Sequence, residues 1–360
     1  MNKICFIDFD MTVVGGVEQV TVSLANALCD KYKVYILSFC GEGLPKFPLD
    51  SRVHYTTFNL KQDRLRNMRK SVKPLLKKYL YDNNIDVAFA QGNYPAFVAG
   101  GVCGSVKTKM IFCDHGALMN QWNEHDAVLI RLFCSIQYKK TVTLTEQNLN
   151  DYRKKFKTSK RKLVHITNWI ADDLPKSSEY DIKSKKIVSA GRFGKEKGFD
   201  MLIKAFAPVA KKHPDWQLDL FGDGEMMDTV KSLINEYGIN GNVNLLGMRS
   251  DLKERYGDYA MYVLPSYREG VPLVLLEAKA NRLPIVSFDI MTGPREIVRD
   301  GVDGILIPPY DLDKMADAMC SLIEDDNLRN NMSERSQENI EKFSKSAILK
   351  QWCELIESLN

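Results

Sequence analysis

Two carboxylates, Glu269 and Glu277, bracket an almost wholly apolar stretch in the run Tyr267-Arg-Glu-Gly-Val-Pro-Leu-Val-Leu-Leu-Glu-Ala-Lys-Ala280. Gly270 and Pro272 put Glu269 in a loop, and Pro272 suits a first helical turn, where its missing N–H costs nothing. That places Glu277 about two turns into the helix. A Glu on a helix is ordinarily a solvated face residue. Here Leu273, Val274, Leu275, Leu276 and Ala278 surround it, so the carboxylate needs a partner. The free N–H groups of a helix N-terminus receive anions, and a carboxylate accepts hydrogen bonds from hydroxyls. A sugar-phosphate and a ribose diol satisfy both ends, which points to a nucleotide-sugar site.

A second constellation is Gly191-Arg192-Phe193-Gly194-Lys195-Glu196-Lys197-Gly198, directly after the strand-like run Ile187–Ala190. Loops at the carboxyl ends of parallel strands face the crevice where such sheets bind ligands. Arg192 offers a bidentate fork and Lys197 a point charge, a pair suited to clamping a diphosphate. Gly15-Gly16 falls between a strand and a helix, where glycines allow close backbone approach to a phosphate or sugar, although a plain tight turn explains it equally well. His115, in Cys113-Asp114-His115-Gly116, is the one histidine of five expected at a strand's carboxyl end beside a Gly. Asp114 is placed to orient its ring, unless the two neighbours point apart.

Positioning these residues takes parallel sheets. Apolar runs alternate with amphipathic helical stretches throughout, the pattern of strands joined by crossover helices. Strands are expected at 4–7, 34–37, 87–90, 110–113, 142–144 and 163–166, with a helix at 17–28. The polar stretch 172–185 is the linker candidate. The alternation then restarts with strands at 187–190, 217–221, 243–246, 261–264 and 285–288, and helices at 201–212, from Glu225, around Glu277 and at 347–359. The expected organisation is an N-terminal domain 1–171, the linker, a C-terminal domain 186–345, and a final helix 346–360.

The 360 residues, 44% hydrophobic and 27% charged, suit two soluble globular domains. No run is long enough to span a bilayer, the N-terminus does not read as a signal peptide, and eight cysteines lack any Cys-x-x-Cys pair. Cytoplasmic residence is the expectation. The net charge of +4 is uneven: residues 1–180 hold 26 Lys+Arg against 17 Asp+Glu (26 − 17 = +9), and the rest 24 against 29 (24 − 29 = −5). The excess concentrates in Lys61–Lys78, a basic amphipathic helix. An ordinary solvated face or docking on an anionic membrane surface accounts for it; no aromatic series interleaves the charges, which argues against nucleic acid.

The run Leu264-Pro-Ser-Tyr-Arg-Glu-Gly-Val-Pro-Leu-Val-Leu-Leu-Glu-Ala278 resembles the signature of the retaining glycosyltransferases of family 4, whose hallmark is Glu-x7-Glu. Gly191–Gly198 resembles the family's Gly-Arg-x4-Lys-Gly motif, and Gly15-Gly16-Val17-Glu18 its N-terminal Gly-Gly-x-Glu. The resemblance covers essentially the whole chain. It implies an α/β chain of GT-B type, two Rossmann-like doubly wound domains facing a central cleft, with the final helix crossing back to the N-terminal domain. It implies transfer of a hexosyl unit, with retention, from a nucleotide sugar to a saccharide or lipid-linked acceptor in surface glycan assembly. UDP-hexose or UDP-N-acetylhexosamine is the expected donor.

In that picture Glu277 holds the ribose, Arg192 and Lys197 the diphosphate, and Glu269 with the backbone of Gly270, Val271, Pro272 and Leu273 the sugar. Gly247 and Met248 border the base. His115 donates a hydrogen bond to the donor sugar, and Gly15 and Gly16 complete the site. The sequence departs from the family where a Gly commonly ends the Glu277 helix; Asn281 stands there and is expected to take the left-handed conformation. No cofactor and no metal are expected: the Asp-x-Asp at Asp8-Phe9-Asp10 is expected straight after the first strand, and a metal would compete with Arg192 and Lys197 for the same charge. A nucleotide-sugar epimerase and a non-catalytic sugar- or nucleotide-binding protein are the alternatives. A nicotinamide-dependent dehydrogenase lacks its Gly-x-Gly-x-x-Gly.

Overall fold

The computed structural model of the chain describes residues 2–171, 180–249 and 251–359. It divides into two compact units: Met1–Asn168 with Ser346–Asn360, and Trp169–Lys345. Most of the expected linker, 172–179, lies outside the described residues.

The first unit is built on a parallel sheet of seven strands: β1 (Lys3–Asp10), β2 (Lys33–Cys40), β3 (His54–Thr57), β4 (Val87–Gln91), β5 (Lys109–Asp114), β6 (Lys140–Thr143) and β7 (Leu163–His165), ordered β3-β2-β1-β4-β5-β6-β7. Strands buried on both faces read as continuous apolar runs, and β1, β2 and β4 do so through Ile4–Ile7, Val34–Leu37 and Val87–Ala90. The order reverses at β1/β4, the topological switch point where open sheets of this kind hold ligands beyond their carboxyl ends. Helix Leu65–Asp82 buries Met68, Val72, Leu76 and Leu80, a stripe at the helical repeat, against this unit. The final helix, Lys345–Glu357, seats Trp352 edge-on against Phe89 of β4, ring centroids 5.5 Å apart.

The second unit repeats the plan with six parallel strands: β8 (Lys186–Ala190), β9 (Gln217–Phe221), β10 (Val243–Gly247), β11 (Met261–Leu264), β12 (Ile285–Phe288) and β13 (Gly304–Ile307), ordered β10-β9-β8-β11-β12-β13. Its switch point is β8/β11. Helix Phe199–Lys212 lays Leu202, Ile203, Phe206 and Val209 into the core.

Two expectations need correction, and the place of Gly15-Gly16 is made specific. β1 continues through Asp10, so Asp8-Phe9-Asp10 lies inside a strand rather than after it. Gly16 opens the helix Gly16–Leu28 and Gly15 caps it with extended backbone (φ −158°), so neither occupies a conformation that demands glycine. Asn281 ends the helix Leu273–Ala280 at φ −95°; the left-handed residue is the next one, Arg282 (φ 63°). Asn281 contributes instead through its side chain, which donates to the Glu277 carbonyl at 2.9 Å.

Candidate active site

The loops that leave β8 and β11, adjacent strands at the second switch point, carry the two sequence constellations, and the structure brings them into contact. Lys197 Nζ lies 2.7 Å from Glu269 Oε1, and the Ser266 hydroxyl donates to the same oxygen at 2.7 Å. The carboxylate is largely buried, 9% exposed, and the ammonium 27%. A third loop, after β12, props the pair: the Thr292 hydroxyl donates to the Glu269 carbonyl at 2.7 Å.

Two glycines permit this convergence. Gly198 (φ 67°) would put a Cβ 2.2 Å from the carbonyl oxygen of Pro265, so only glycine lets the turn bearing Lys197 close against the loop bearing Glu269. Gly293 (φ 101°) would place one 2.8 Å from the Gly270 oxygen and 2.9 Å from Pro272 Cδ. The β8 loop is braced from its other side, where Phe193 N–H donates to the Asp223 carbonyl at 2.8 Å. The Gly-rich turn after β9 is therefore a support for the loop.

Pro272 caps the helix Leu273–Ala280, and Leu273 is its first residue. Glu277 thus sits just over one turn in, nearer the N-terminus than the sequence suggests. It is 9% exposed, and its partner is Tyr256, fully buried, whose hydroxyl donates to Oε2 at 2.9 Å. On the same helix Lys279 is 2% exposed and pairs with Asp303 at 2.6 Å, while Arg299 holds the same Asp303 oxygen at 2.7 Å. A short apolar helix carrying two buried charges is pinned on both sides.

Arg192 is 74% exposed at its side chain and pairs with Glu196 at 2.7 Å, so unlike Lys197 it is not drawn into the Glu269 contact. Gly247 ends β10 at a register shift, and its carbonyl accepts from Gly222 N–H at 2.8 Å; Met248 next to it is 71% exposed. Val271 and Pro272 are buried, and Gly270 and Leu273 partly so.

In the first unit His115 follows β5, half-buried, with Nε2 2.5 Å from Gln91 Oε1 at the end of β4. Burial pulls its pKa down to about 4, against the charge of Asp114, so the ring is neutral near pH 7. Asp114 does not orient that ring. Its carboxylate takes Arg131 Nε at 2.9 Å, the Tyr152 hydroxyl at 2.8 Å and the Gly116 N–H at 3.2 Å. Burial opposes its charge, yet Arg131 and these bonds hold its pKa below the usual range. Gln91, Ser266 and Tyr256 escaped the sequence reading. For Gln91 a signal existed: an amide closing the apolar run Val87–Ala90.

Glu18 folds back over Gly15, where an added Cβ would meet its Oε2 at 2.2 Å. Asp8 is 2% exposed; burial, then the charge of Glu18, raises its pKa to about 8. Among the described residues the one cluster with metal-ligand composition is His213, Cys320 and Glu324. His213 ends the helix leading back to the start of β9, at the opposite end of the strands from the loops carrying Lys197 and Glu269.

Comparison with known proteins gives this geometry a family. The model of group 1 glycosyl transferases matches residues 171–339, and that of Glycosyltransferase Family 4 residues 14–174. An uncharacterized glycosyltransferase of Haemophilus influenzae is 30% identical over 358 residues, 98% of this chain and 99% of that one. A Campylobacter jejuni alpha-1,4-N-acetyl-D-galactosaminyltransferase, named for a diNAcBac-PP-undecaprenol-linked saccharide, is 25% identical, covering 99% of this chain and 98% of its own. Anabaena Alr3699/HepE, solved in complex with UDP, superposes with a TM-score of 0.81 at 19% identity, covering 99% of this chain and 100% of that one. Two parallel-sheet units, matched end to end by such relatives, make this chain a GT-B glycosyltransferase of the group 1, family 4 type.

Proposed function

We propose that the chain moves a hexosyl unit from UDP-hexose or UDP-N-acetylhexosamine, with retention, to a lipid-linked saccharide in surface glycan assembly. The observation that carries the reading is the Lys197–Glu269 contact at the β8/β11 switch point, one turn from the buried Glu277. The UDP in the Anabaena structure and the undecaprenol-linked substrate in the Campylobacter name support the donor and acceptor classes. Nothing observed favours the epimerase or binding-protein alternatives.

Lys197 and Arg192 meet the leaving diphosphate, and the first N–H groups of helix Leu273–Ala280 add their dipole. Charge that develops on the leaving group is then met by donors already in place, where catalysis gains most. Glu269, held by Lys197 and Ser266, takes hydroxyls of the sugar, and Glu277, fixed by Tyr256, takes those of the ribose. Gly270, Val271, Pro272 and Leu273 line the sugar and Gly247 and Met248 the base, while His115, Gly15 and Gly16 are the first unit's candidates for donor contact. Because the cations are supplied by side chains, turnover is expected without a metal: EDTA should leave the rate near its starting value, and a collapse restored by Mg²⁺ or Mn²⁺ would overturn this. Retention is assigned to front-face departure and attack, with no covalent intermediate.

An anionic membrane surface is the proposed second partner. Arg66, Lys70, Lys73 and Lys77 form an exposed stripe on helix Leu65–Asp82, opposite the buried Met68–Val72–Leu76 stripe. Arg69 is turned inward, its guanidinium 5.0 and 4.5 Å from the Phe97 and Phe133 rings. Among the described residues no helix is long and apolar enough to cross a membrane. A cytoplasmic chain visiting the inner face of the membrane is consistent with both.

The function is tested by nucleoside diphosphate release from a panel of UDP-, GDP- and ADP-hexoses. Slow hydrolysis of one UDP-sugar, lost in Glu277→Ala, is expected. No release and no calorimetric binding of any donor would refute the transferase reading.

A further inference from the structure

Gln91 closes β4 at the first unit's switch point, 2% exposed, and its Cα pairs with that of Cys113 on β5, two residues before His115. The strand pairing is continued by the Gly92 N–H, which donates to the Cys113 carbonyl at 2.8 Å, so the β5 pairing runs past Gln91 and fixes its backbone. Its amide oxygen lies 2.5 Å from His115 Nε2, while its amide nitrogen is buried without a hydrogen-bond partner. The oxygen end therefore faces the ring, and the cross-strand neighbour of Gln91 is the buried Cys113.

An amide oxygen only accepts, so the ring nitrogen facing it must carry the hydrogen. A neutral imidazole has one N–H, and fixing it on Nε2 leaves a lone pair on Nδ1. Asp114, the nearest charge in sequence, cannot compete for the ring because Arg131, Tyr152 and the Gly116 N–H occupy it. We propose that Gln91 is a positioning residue that locks His115 in the Nε2–H tautomer, so that Nδ1 accepts a hydrogen bond from a hydroxyl of the donor sugar. This reverses the polarity expected from the family resemblance, in which the histidine donates. The inference rests on the reading that His115 contacts the donor.

The test is imidazole nitrogen NMR on the full chain labelled with ¹⁵N-histidine, with the His115 signals assigned from their loss in His115→Gln. Wild type should show the Nε2–H tautomer at pH 7. Gln91→Leu should show the Nδ1–H form or a mixture, and lower kcat/KM for donor hydrolysis at least tenfold. Gln91→Glu keeps an acceptor facing Nε2; it should retain the tautomer and titrate at higher pH, a rescue that a merely misfolded loop would not give. An Nδ1–H tautomer in wild type, or an unchanged ring in Gln91→Leu, overturns the lock. A ring that changes while donor hydrolysis stays within twofold overturns the positioning role. The underlying reading fails separately, if His115→Gln hydrolyses the donor at the wild-type rate.

Discussion

Lys197 Nζ and Glu269 Oε1 stand 2.7 Å apart although 72 residues separate them in sequence. The contact couples two motifs that would otherwise be assigned separate tasks, one to the diphosphate and one to the sugar. In the proposed function Lys197 neutralises the leaving group while tethered to the carboxylate that takes the sugar, and so acts on both sides of the breaking bond. Lys197→Ala should therefore lower kcat for donor hydrolysis by about 100- to 1000-fold, the usual cost of one removed electrostatic donor. Donor Kd should move by less than tenfold. Steady-state kinetics alongside calorimetry separate the two, and a kcat within threefold of wild type would remove Lys197 from the mechanism.

In the proposed function Glu277 binds rather than reacts, so its variants should split the other way. Glu277→Gln keeps an acceptor for Tyr256 but loses the charge. Hydrogen bonds to charged groups contribute roughly 1.5–3 kcal/mol, so UDP affinity should fall about 10- to 100-fold. Tyr256→Phe leaves the carboxylate less firmly held and should weaken UDP binding more mildly. Calorimetric titration with UDP reads both, and equal affinity in wild type and Glu277→Gln would exclude the ribose role.

Gly198→Ala tests the backbone approach rather than the chemistry. The left-handed conformation costs a non-glycine residue about 1–2 kcal/mol, and the approach to the Pro265 oxygen adds a clash that only a shifted loop relieves. Lowered thermal stability together with lost donor hydrolysis is expected. A variant with wild-type melting and turnover would show that the two loops need not close as the structure has them.

Most strands were readable because buried parallel strands announce themselves as apolar runs, as at Ile4–Ile7 and Val87–Ala90. Two of the four edge strands, β3 and β13, were not. His54–Thr57 is exposed or half-buried at every position, and Gly304–Ile307 opens on a glycine, so neither presents the run that burial on both faces selects. Spacing exposed the Glu269–Glu277 pair and the Gly191–Gly198 loop, since each is local. What spacing cannot carry is partnership across the fold. Tyr256 lies 21 residues before Glu277 and Gln91 lies 24 before His115, and both contacts arise from strand order. Asp114 misled for the same reason: adjacency in sequence suggested the His115 ring, whereas its carboxylate belongs to Arg131 on the helix His125–Gln137.

Asp8 makes a prediction about pH. Burial and the neighbouring Glu18 raise its pKa from 3.8 to about 8 in the folded state. Between those values the folded chain holds a proton that the unfolded chain has released. The contribution to stability is complete below about pH 4 and is lost as pH rises towards 8, by up to about 1.4 kcal/mol per pH unit. Asp8→Asn removes the titration while preserving an oxygen for the Phe9 N–H, which Asp8 Oδ1 now accepts at 2.7 Å. The variant should lose less stability than wild type between pH 5 and pH 8 in denaturant melts. Parallel losses in the two proteins would mean that Asp8 ionises normally.

The basic stripe on helix Leu65–Asp82 predicts association governed by charge. Arg66, Lys70, Lys73 and Lys77 recur at three- and four-residue spacing, all exposed, while Leu75 (41%) and Tyr81 (82%) leave apolar surface on the same helix. Each basic residue near an anionic leaflet contributes roughly 1 kcal/mol, and the attraction decays within a screening length of about 10 Å at 0.1 M salt. Sedimentation with phosphatidylglycerol-containing vesicles should capture the chain at low salt and release it near 0.5 M NaCl, where screening shortens the reach of each charge. Neutral vesicles should capture little. Reversing Lys70, Lys73 and Lys77 to Glu should abolish capture while leaving hydrolysis of the soluble donor unchanged, because none of the three lies among the residues assigned to donor binding. Capture that survives high salt, or that persists in the reversed variant, would assign the interaction to apolar surface instead, and no capture on anionic vesicles would restore the helix to an ordinary solvated face.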